Sequence, residues 1–428
     1  MWRYIFVTLG LSVVLLALDY YVYRNWRRFA DYRGGRLRLT LPVYRVLMFV
    51  MPLALPVYFY FSRWWEVEPK LPRAIFFGLW TLYYLPKVII ALALLLKDFA
   101  RFVMWLFEWF KVRLQRPEPD PAGSEAVPDL DLSDMKRMTR KEFLQTAGWS
   151  LAAVPFVTVG YSVFRSLYDF QVHHVEVKLA NLPRQLDGLT IAQLSDLHAG
   201  SFFSPKPMEE AAALVNSLHP DLIMVTGDYV NNDAAEAPII LPALRTFKAD
   251  LGVFGCLGNH DHYANVTDVM AALRTTPIDL LVNEHRTLNV DGAKLHVIGT
   301  DNTGFRQRFA DLPRALEGIE HSEPGDEVCI LLAHDPTFWD NEVRPNYPDI
   351  DLMVCGHTHG GQVGFEFGPL RWGLARLMYE RWAGLYTEAR PTGTDPQYLY
   401  VNRGLGTVGP PLRIGVQPEV TLLTLRKA

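Results

Sequence analysis

Four long apolar runs in the first 164 residues constrain this chain more than any other feature. They cover residues 4–23, 46–62, 74–96 and 143–164, and the only charged side chains in them are Asp19 and Lys87. A helix needs about 20 apolar residues to cross ~30 Å of hydrocarbon. Inside lipid, a chain must satisfy its own backbone hydrogen bonds, which a helix does. The runs therefore predict membrane-spanning helices.

A soluble bundle of buried helices is the alternative interpretation. The uncharged runs are longer than a soluble core requires, and aromatic residues cluster at their ends, as is typical of a membrane interface. The second run fits a span least well, because Pro52 and Pro56 lie inside it.

The runs also predict how the chain divides into domains. A segment rich in proline and acidic residues separates the third run from the fourth, and it has no hydrophobic periodicity. We expect about three transmembrane helices in residues 1–115, a linker at 116–142, a fourth transmembrane or signal-anchor helix at 143–164, and one catalytic domain at 170–428.

Basic residues orient these predicted spans. The loop between the first two runs contains seven arginines, and the loop between the last two contains nine Lys and Arg residues. The middle loop has three basic residues, offset by Glu66 and Glu68. Since basic loops stay in the cytoplasm, we expect a multi-pass protein of the cell membrane with its catalytic domain outside the cytoplasm. The stretch "TRKEFL" agrees with export because it resembles a twin-arginine signal, although Lys141 replaces the second arginine.

Charge and cysteine content exclude two classes of protein. The formal net charge is −4 and no run of basic residues is present, so we expect no nucleic-acid partner. Each of the three cysteines lies in an apolar run, which predicts buried core residues and not a disulfide framework.

From about residue 175 the chain alternates between β-rich runs and helix-like stretches. Each run, such as "DLIMVTGDYVNN" or "LMVCGHTHGG", ends in a polar turn that contains glycine. Near-continuous apolar strands that alternate with helices predict a sheet covered on both faces. In such sheets, functional residues collect beyond the carboxyl ends of the strands.

Side chains that bind metals stand at these strand ends. They are Asp196, His198, Asp228, Asn259, His260, Asp261, His334, His357 and His359. One such histidine alone is more often an ordinary core or surface residue. A series of oxygen and imidazole groups at successive strand ends predicts a metal centre instead.

The series "SDLH", "GDYV", "GNHD", "AHDP" and "GHTHGG" resembles the signature of the calcineurin-like metallophosphoesterases. The resemblance covers about residues 188–425. It implies a layered α/β/β/α metallophosphoesterase sandwich, here preceded by an α-helical transmembrane region. It also implies two divalent cations. One is held by Asp196, His198 and His359, the other by Asn259, His334 and His357, and Asp228 bridges the two.

This ligand set agrees with phosphoester hydrolysis. Imidazole mixed with oxygen ligands suits manganese, iron, cobalt or zinc. Two such cations, about 3.5–4 Å apart, share a carboxylate and a bridging hydroxide that attacks phosphorus. His260 is the candidate proton donor to the leaving group, and we expect Asp261 to orient it. The predicted activity is metal-dependent hydrolysis of phosphodiester or pyrophosphate bonds.

Within that family the chain resembles the membrane-attached or exported bacterial phosphodiesterases. That branch includes the UDP-2,3-diacylglucosamine pyrophosphatases. The ending "YVNRGLGTVGPPLRIGVQPEVTLLTL" resembles the ending typical of the branch. It makes Asn402, Arg403 and Arg413 candidate contacts for substrate phosphate, and structural roles in turns and strands are the alternative.

The predicted substrate is a lipid-linked or cell-envelope phosphate, so membrane lipids are the expected partners. Residues 365–391 interleave aromatic side chains, including Trp372 and Trp382, with arginines. This pattern suits a lid that touches the membrane, while an ordinary loop over the sheet is the alternative. Two other functions stay open. One is a UDP-2,3-diacylglucosamine pyrophosphatase of lipid A synthesis, and the other is a non-catalytic metal-holding module that binds a partner.

Overall fold

The computed structural model describes residues 2–62, 70–114, 140–303, 309–320, 325–367, 370–390 and 395–428. The chain forms two compact units, Met1–Pro69 with Leu79–Gly160 and Lys70–Gly78 with Tyr161–Ala428. Most of the predicted linker at residues 116–142 lies outside the described residues.

Four long helices precede the first strand. They are α1 (Trp2–Arg33), α2 (Thr40–Ser62), α3 (Lys70–Leu114) and α4 (Arg140–Phe164). Among the described residues, three segments are long and apolar enough to cross a membrane: Gly35–Tyr58, Phe76–Phe110 and Ala147–Tyr168. The predicted span at residues 4–23 lies within α1, which is not one of these three, so that span stays a prediction.

Helix α2 continues through both of its prolines. Pro56 has no backbone N–H, so the carbonyl of Pro52, four residues earlier, loses its partner within the helix. The hydroxyl of Ser12 in α1 donates to that carbonyl at 2.6 Å. Because a neighbouring helix satisfies the freed carbonyl, the prolines are compatible with a membrane-spanning helix.

The two charges that interrupt the apolar runs pair with each other. The Lys87 ammonium in α3 lies 2.5 Å from the carboxylate of Asp19 in α1, and both side chains are buried. The hydroxyl of Tyr84 donates to the other oxygen of Asp19 at 3.2 Å. A buried charge is costly unless it is paired, so this contact explains why each run tolerates one charged residue.

The second unit contains fourteen strands among the described residues. They are β1 (Gln171–Leu179), β2 (Thr190–Leu194), β3 (Leu222–Thr226), β4 (Val253–Cys256), β5 (Ile278–Leu280), β6 (Glu284–Val290), β7 (Ala293–Gly299), β8 (Glu327–Leu332), β9 (Leu352–Cys355), β10 (Gly364–Phe367), β11 (Leu370–Gly373), β12 (Gly384–Ala389), β13 (Pro396–Val401) and β14 (Glu419–Lys427). Its shorter helices are α5 (Lys206–Ser217), α6 (Leu241–Leu244), α7 (Asn259–Tyr263), α8 (Val266–Leu273), α9 (Leu312–Leu316) and α10 (Arg344–Asn346).

Two six-stranded sheets and one hairpin organise these strands. The strand orders are β1-β14-β2-β3-β4-β5 and β12-β13-β9-β8-β7-β6, and β10 pairs with β11 alone. Strands β2 to β5 run parallel, as do β7, β8, β9 and β13. Parallel strands end at the same edge of a sheet, so the turns after β2, β3 and β4 share one edge, and those after β8 and β9 share another.

The cores confirm the predicted α/β/β/α sandwich. Ile191 and Leu222 of the first sheet pack with Leu295 and Ile330 of the second in a core between the sheets. The alternate residues of the first sheet, such as Ala192, pack under α5 and α8 on its outer face. The second sheet has a matching outer core beneath α9. Strands buried on both faces account for the near-continuous apolar runs.

Candidate metal centre

The first set of predicted ligands follows β2 and β9. The ligand atoms of Asp196, His198 and His359 all lie within 4.8 Å of one another. The Nε2 atoms of the two histidines are 3.1 Å apart, and Nε2 of His359 is 3.3 Å from a carboxylate oxygen of Asp196. All three side chains are buried. One cation can therefore reach all three groups.

The second set follows β3, β8 and β9. Asp228, His334 and His357 also have ligand atoms within 4.8 Å of one another. Nδ1 of His334 is 2.7 Å from the carbonyl of Thr226, which can only accept, so this nitrogen donates. Nε2 of His334 is thereby left facing the set, 3.1 Å from Asp228 and 3.2 Å from Nδ1 of His357.

Asp228 connects the two sets through one atom. Its Oδ2 lies 3.5 Å from Nε2 of His198 in the first set and 3.1 Å from Nε2 of His334 in the second. Its Oδ1 accepts a hydrogen bond from the backbone N–H of His260 at 2.8 Å. The carboxylate is thus held with one oxygen between the two groups of histidines.

Asn259 completes the predicted ligands, and its environment fits a cation. Its side-chain Oδ1 is buried and has no hydrogen-bond partner. A buried carbonyl oxygen without a partner is costly, and a metal ion would satisfy it. The close contact between the Nε2 atoms of His198 and His359 points the same way, because both imidazoles are neutral and at least one of these nitrogens offers a lone pair there. The donor set of imidazole, carboxylate and amide oxygen suits divalent transition metals.

Backbone strain concentrates at this centre. Ten non-glycine residues of the described chain have positive φ, and five of them are predicted ligands: Asp196, His198, Asp228, His357 and His359. Such conformations cost on the order of 1–3 kcal/mol each and persist where the surroundings dictate them, often at functional sites. The strained turns at the strand ends therefore direct these side chains toward the metal centre.

The glycines of "GHTHGG" allow two strand ends to approach each other. A Cβ on Gly356 would overlap the side chains of Ser195 and Asp196. Without it, the backbone N–H of His357 donates to the Asp196 carboxylate at 2.9 Å. The turn after β9 thus packs directly on the turn after β2, which brings His357 and His359 into different sets.

Burial keeps three of the histidines neutral. It lowers the pKa of His198 to about 3, and it also lowers the pKa values of His357 and His359. Burial acts on His334 too, but the Asp228 carboxylate outweighs it and raises the pKa of His334. Burial also opposes ionisation of Asp228, but His334 outweighs it and lowers the pKa of that carboxyl.

His260 lies beside the first set, but Asp261 does not orient it. The His260 and His198 rings meet edge to face, with centroids 4.8 Å apart. Nδ1 of His260 donates to the backbone carbonyl of Asn231 at 2.5 Å, which leaves Nε2 for a substrate.

The predicted role of Asp261 as the partner of His260 is wrong. Its carboxylate accepts hydrogen bonds from the backbone N–H groups of Gly258, Asp228 and Tyr229 at 2.8–3.0 Å. Asp261 occupies the first turn of α7, so its side chain turns back toward the start of the helix. It therefore fixes the turns after β3 and β4, and with them the backbone of Asp228.

The three candidate phosphate contacts near the carboxyl terminus have structural partners. The Asn402 amide donates to Thr421 at 2.9 Å. The Arg403 guanidinium is paired with Glu366 at 2.8 Å and Glu419 at 2.5 Å. Arg413 is fully buried, and its Nη2 donates to the backbone carbonyls of residues 403, 404 and 406. These contacts favour the structural alternative for all three side chains, because the Asn402 amide, the Arg403 guanidinium and Nη2 of Arg413 already donate to protein groups.

Two side chains at the centre were not singled out from the sequence. The Tyr379 hydroxyl lies 3.0 Å from Nε2 of His357, and the Asp335 carboxylate lies 3.7 Å from the same atom. Groups behind a metal-binding imidazole fix its orientation and its tautomer. Asp335 belongs to the recognised "AHDP" motif. Tyr379 has no motif of its own, so only the fold reveals its position.

The predicted lid divides into buried and exposed parts. Trp382 packs with Ala375, Ala383 and Tyr379 and is 4% exposed, so its predicted contact with the membrane is wrong. Its backbone carbonyl accepts from Thr358, which holds it against the turn between the two histidines of "GHTHGG". By contrast, Phe365, Phe367, Leu370, Leu374, Leu377 and Met378 are exposed.

Comparison with known families and proteins agrees with this geometry. Residues 2–167 match a family described as "Probable Calcineurin-like phosphoesterase, transmembrane domain", and residues 189–361 match the family "Calcineurin-like phosphoesterase".

Individual relatives cover different shares of the chain. The uncharacterized metallophosphoesterase YkuE of Bacillus subtilis is 31% identical over 302 residues, which cover 68% of this chain and 99% of that protein. A Bos taurus transmembrane protein with metallophosphoesterase domain is 31% identical over 266 residues, covering 59% of this chain and 56% of the bovine protein. The NAD nucleotidase structure of Haemophilus influenzae is 19% identical, with a TM-score of 0.37 over 51% of this chain and 46% of that one.

Proposed function

Because this chain belongs to the calcineurin-like metallophosphoesterase family, with an amino-terminal transmembrane phosphoesterase domain, we propose that it is a membrane-anchored hydrolase with two metal ions. It hydrolyses phosphodiester or pyrophosphate bonds. Asp196, His198 and His359 would hold one cation, and Asn259, His334 and His357 would hold the other. Asp228 would serve both.

The observation that carries this proposal is the position of Asp228. Its Oδ2 lies within 3.5 Å of one histidine from each set, and its Oδ1 is fixed by a backbone N–H. A carboxylate oxygen placed between two groups of histidine ligands is the arrangement that two neighbouring cations require. One cation bound at a single set would leave the other set of histidines without a role.

The seven metal ligands and His260 have different roles in the proposed reaction. When bound, the two cations offset the negative charge of the phosphate and make a water a better nucleophile. The seven ligands hold these charges in a buried centre, where electrostatic interactions are stronger than in water. His260, with its Nδ1 bonded to the carbonyl of Asn231, is positioned to deliver a proton from Nε2 to the leaving oxygen.

The substrate and the location follow from the membrane region. We infer a lipid-linked or cell-envelope phosphate substrate, since the catalytic unit follows directly on α4. The excess of Lys and Arg in the loops before residue 46 and after residue 96 supports a multi-pass arrangement with the catalytic unit outside the cytoplasm. A cytoplasmic unit would instead favour a nucleotide-linked substrate such as UDP-2,3-diacylglucosamine.

A non-catalytic metal-holding module is the second candidate. Such a module has no need for a proton donor, whereas here His260 lies beside the first set. The test is hydrolysis of bis-p-nitrophenyl phosphate by the purified full chain with added Mn²⁺, Fe²⁺, Co²⁺ or Zn²⁺. We expect turnover with at least one metal and its loss on adding a chelator. Metal binding without turnover in any of the four would favour the module.

A further inference from the structure

The hairpin β10–β11 carries an apolar face that points away from the domain. Directly opposite residues of an antiparallel pair share a face, as do alternate residues of one strand. Phe365 pairs with Trp372, and Phe367 pairs with Leu370, so these four side chains form one face. Glu366 and Arg371 pair with each other and form the opposite face.

The polar face is the one held against the domain. Glu366 receives two hydrogen bonds from the buried Arg403, at 2.8 and 3.1 Å. The Arg371 guanidinium lies over the rings of Trp382 and Tyr386, with centroids 5.9 and 5.5 Å away. The hairpin thus reverses the usual order, because its charged side chains face the protein and its apolar face is directed outward.

Exposed apolar side chains continue beyond the hairpin, at Leu374, Leu377 and Met378. We define the apolar patch as Phe365, Phe367, Leu370, Trp372, Leu374, Leu377 and Met378. Phe367 and Leu370 are 75% and 63% exposed, and Leu377 and Met378 are 73% and 80% exposed. Of nine large exposed hydrophobic side chains in the described residues after position 165, six belong to the patch. Such a concentration marks an interaction site, whereas single exposed apolar residues are ordinary.

The patch ends at the metal centre. Met378 is followed by Tyr379, whose hydroxyl lies 3.0 Å from Nε2 of His357. The other end of the hairpin starts a few residues after His359, and the backbone N–H of Leu374 donates to the carbonyl of Val363 at 2.9 Å. A molecule resting on the patch therefore lies beside the predicted cations.

The base of the hairpin is bonded to the segment that holds the end of α4. Ser162 accepts from the backbone N–H of Arg413 at 2.7 Å and donates to its carbonyl at 2.6 Å. The next residue, Ile414, forms a bridge with Val363 and accepts from the N–H of Gly364 at 2.8 Å. Ser162 belongs to the segment Ala147–Tyr168, which is long and apolar enough to cross a membrane. The hairpin base is therefore only a few bonds from the end of this segment.

We propose that the apolar patch inserts into the bilayer surface beside the last residues of α4, 161–164, which belong to the same unit, so that a substrate carried on a membrane lipid reaches the metal centre without leaving the lipid phase. The choice of a bilayer over a protein partner rests on the link through Ser162, because Ser162 lies in the segment Ala147–Tyr168, which is long and apolar enough to cross a membrane. Arg376 is exposed next to Leu377 of the patch, and its guanidinium suits lipid phosphate groups. The route for the substrate rests on the proposed phosphoesterase function, whereas the insertion itself does not.

The test measures depth in a bilayer by fluorescence quenching. The full chain is reconstituted into phosphatidylcholine nanodiscs that contain doxyl-labelled lipid, and a polarity-sensitive thiol dye is attached to Met378→Cys or Leu370→Cys. The native cysteines are buried and unpaired, which limits labelling to the new site. Phe203→Cys is the matched control, because Phe203 is exposed and apolar but lies outside the patch. Hydrolysis of bis-p-nitrophenyl phosphate is measured on the unlabelled wild-type chain in the same nanodiscs.

We expect doxyl lipid to quench the dye at positions 378 and 370 and to leave the dye at position 203 unchanged. Equal, weak quenching at all three positions would overturn the proposal, as would cross-linking of Met378→Cys to a second copy without quenching. Quenching without hydrolysis would leave the insertion standing and remove the proposed function. Hydrolysis without quenching would support the proposed function and overturn the insertion of the patch.

Discussion

At the scale of single residues, the metal centre contains ligand atoms whose hydrogen-bonding capacity the protein itself does not use. Asn259 Oδ1 has no partner, and Asp228 Oδ2 is shared by two sets of histidines. Asp261, by contrast, accepts only from backbone N–H groups that position Asp228 and α7. The ligands are thus fixed by their neighbours and left open toward the centre, which is how a metal site is pre-organised.

Removing the shared carboxylate tests this arrangement. Asp228→Asn keeps the size of the side chain but loses its charge, so both cations should bind more weakly. We expect turnover of bis-p-nitrophenyl phosphate to fall by more than the roughly 10–100-fold typical of outer-shell changes. A thermal melt would confirm that the variant is folded. Near-normal turnover in a folded Asp228→Asn protein would rule out a shared ligand.

His260 should affect proton transfer and not metal binding. His260→Ala should retain the metal content of the wild type, because the seven ligands remain. Its turnover should fall by about 10²–10⁴-fold on an alkyl phosphodiester, which needs a proton on its leaving oxygen. The loss should be much smaller with p-nitrophenolate, a good leaving group. Equal losses on both substrates would argue against a proton donor.

At the scale of elements, the helices of the first unit are joined by polar contacts that the sequence shows only as exceptions. The Ser12 hydroxyl donates to the carbonyl of Pro52, which Pro56 leaves without a partner in its own helix, and Asp19 forms an ion pair with Lys87. Ser12, Asp19 and Lys87 thus each have a partner on another helix. Their cost in lipid is thereby offset, and each contact fixes the register between two helices.

Breaking the Asp19–Lys87 pair should destabilise the first unit. Lys87→Met leaves Asp19 buried and unpaired, which costs about 3–5 kcal/mol in comparable buried pairs. The double variant Asp19→Leu/Lys87→Met should recover most of that loss. Arg101→Met, which removes an exposed partner of Asp98 on the same helix, is the control and should change little. Equilibrium unfolding in detergent measures all three, and a double variant as unstable as Lys87→Met would contradict the pairing.

At the scale of the whole molecule, hydrophobic periodicity and motif spacing were enough to predict the layered fold and the position of the site residues in the chain. The α/β/β/α sandwich and the gathering of Asp196, Asp228 and His357 at strand ends follow from apolar runs that stop at polar turns. The hydrogen-bond partner of His260 and the position of Tyr379 could not be predicted from the sequence in this way. They depend on how separate turns pack in space, and a carbonyl such as that of Asn231 has no sequence signature. The outward apolar face of β10–β11 needed the strand register as well.

The orientation of the chain in the membrane stays a prediction, and reporter fusions can test it. A reporter active only outside the cytoplasm should give signal when it is fused after residue 428 and none when it is fused near residue 123. The basic loops on either side of the second and third apolar runs are the reason, since they are retained in the cytoplasm. The opposite pattern would place the catalytic unit inside the cell.

The number of cations bound per chain tests the central claim most directly. The full chain is purified, saturated with Mn²⁺, freed of excess metal and analysed for metal and protein by mass spectrometry. Two sets of ligands that share Asp228 predict two manganese ions per chain, both lost on prolonged chelation. One ion per chain, or none with any of the four candidate metals, would contradict the two-metal centre.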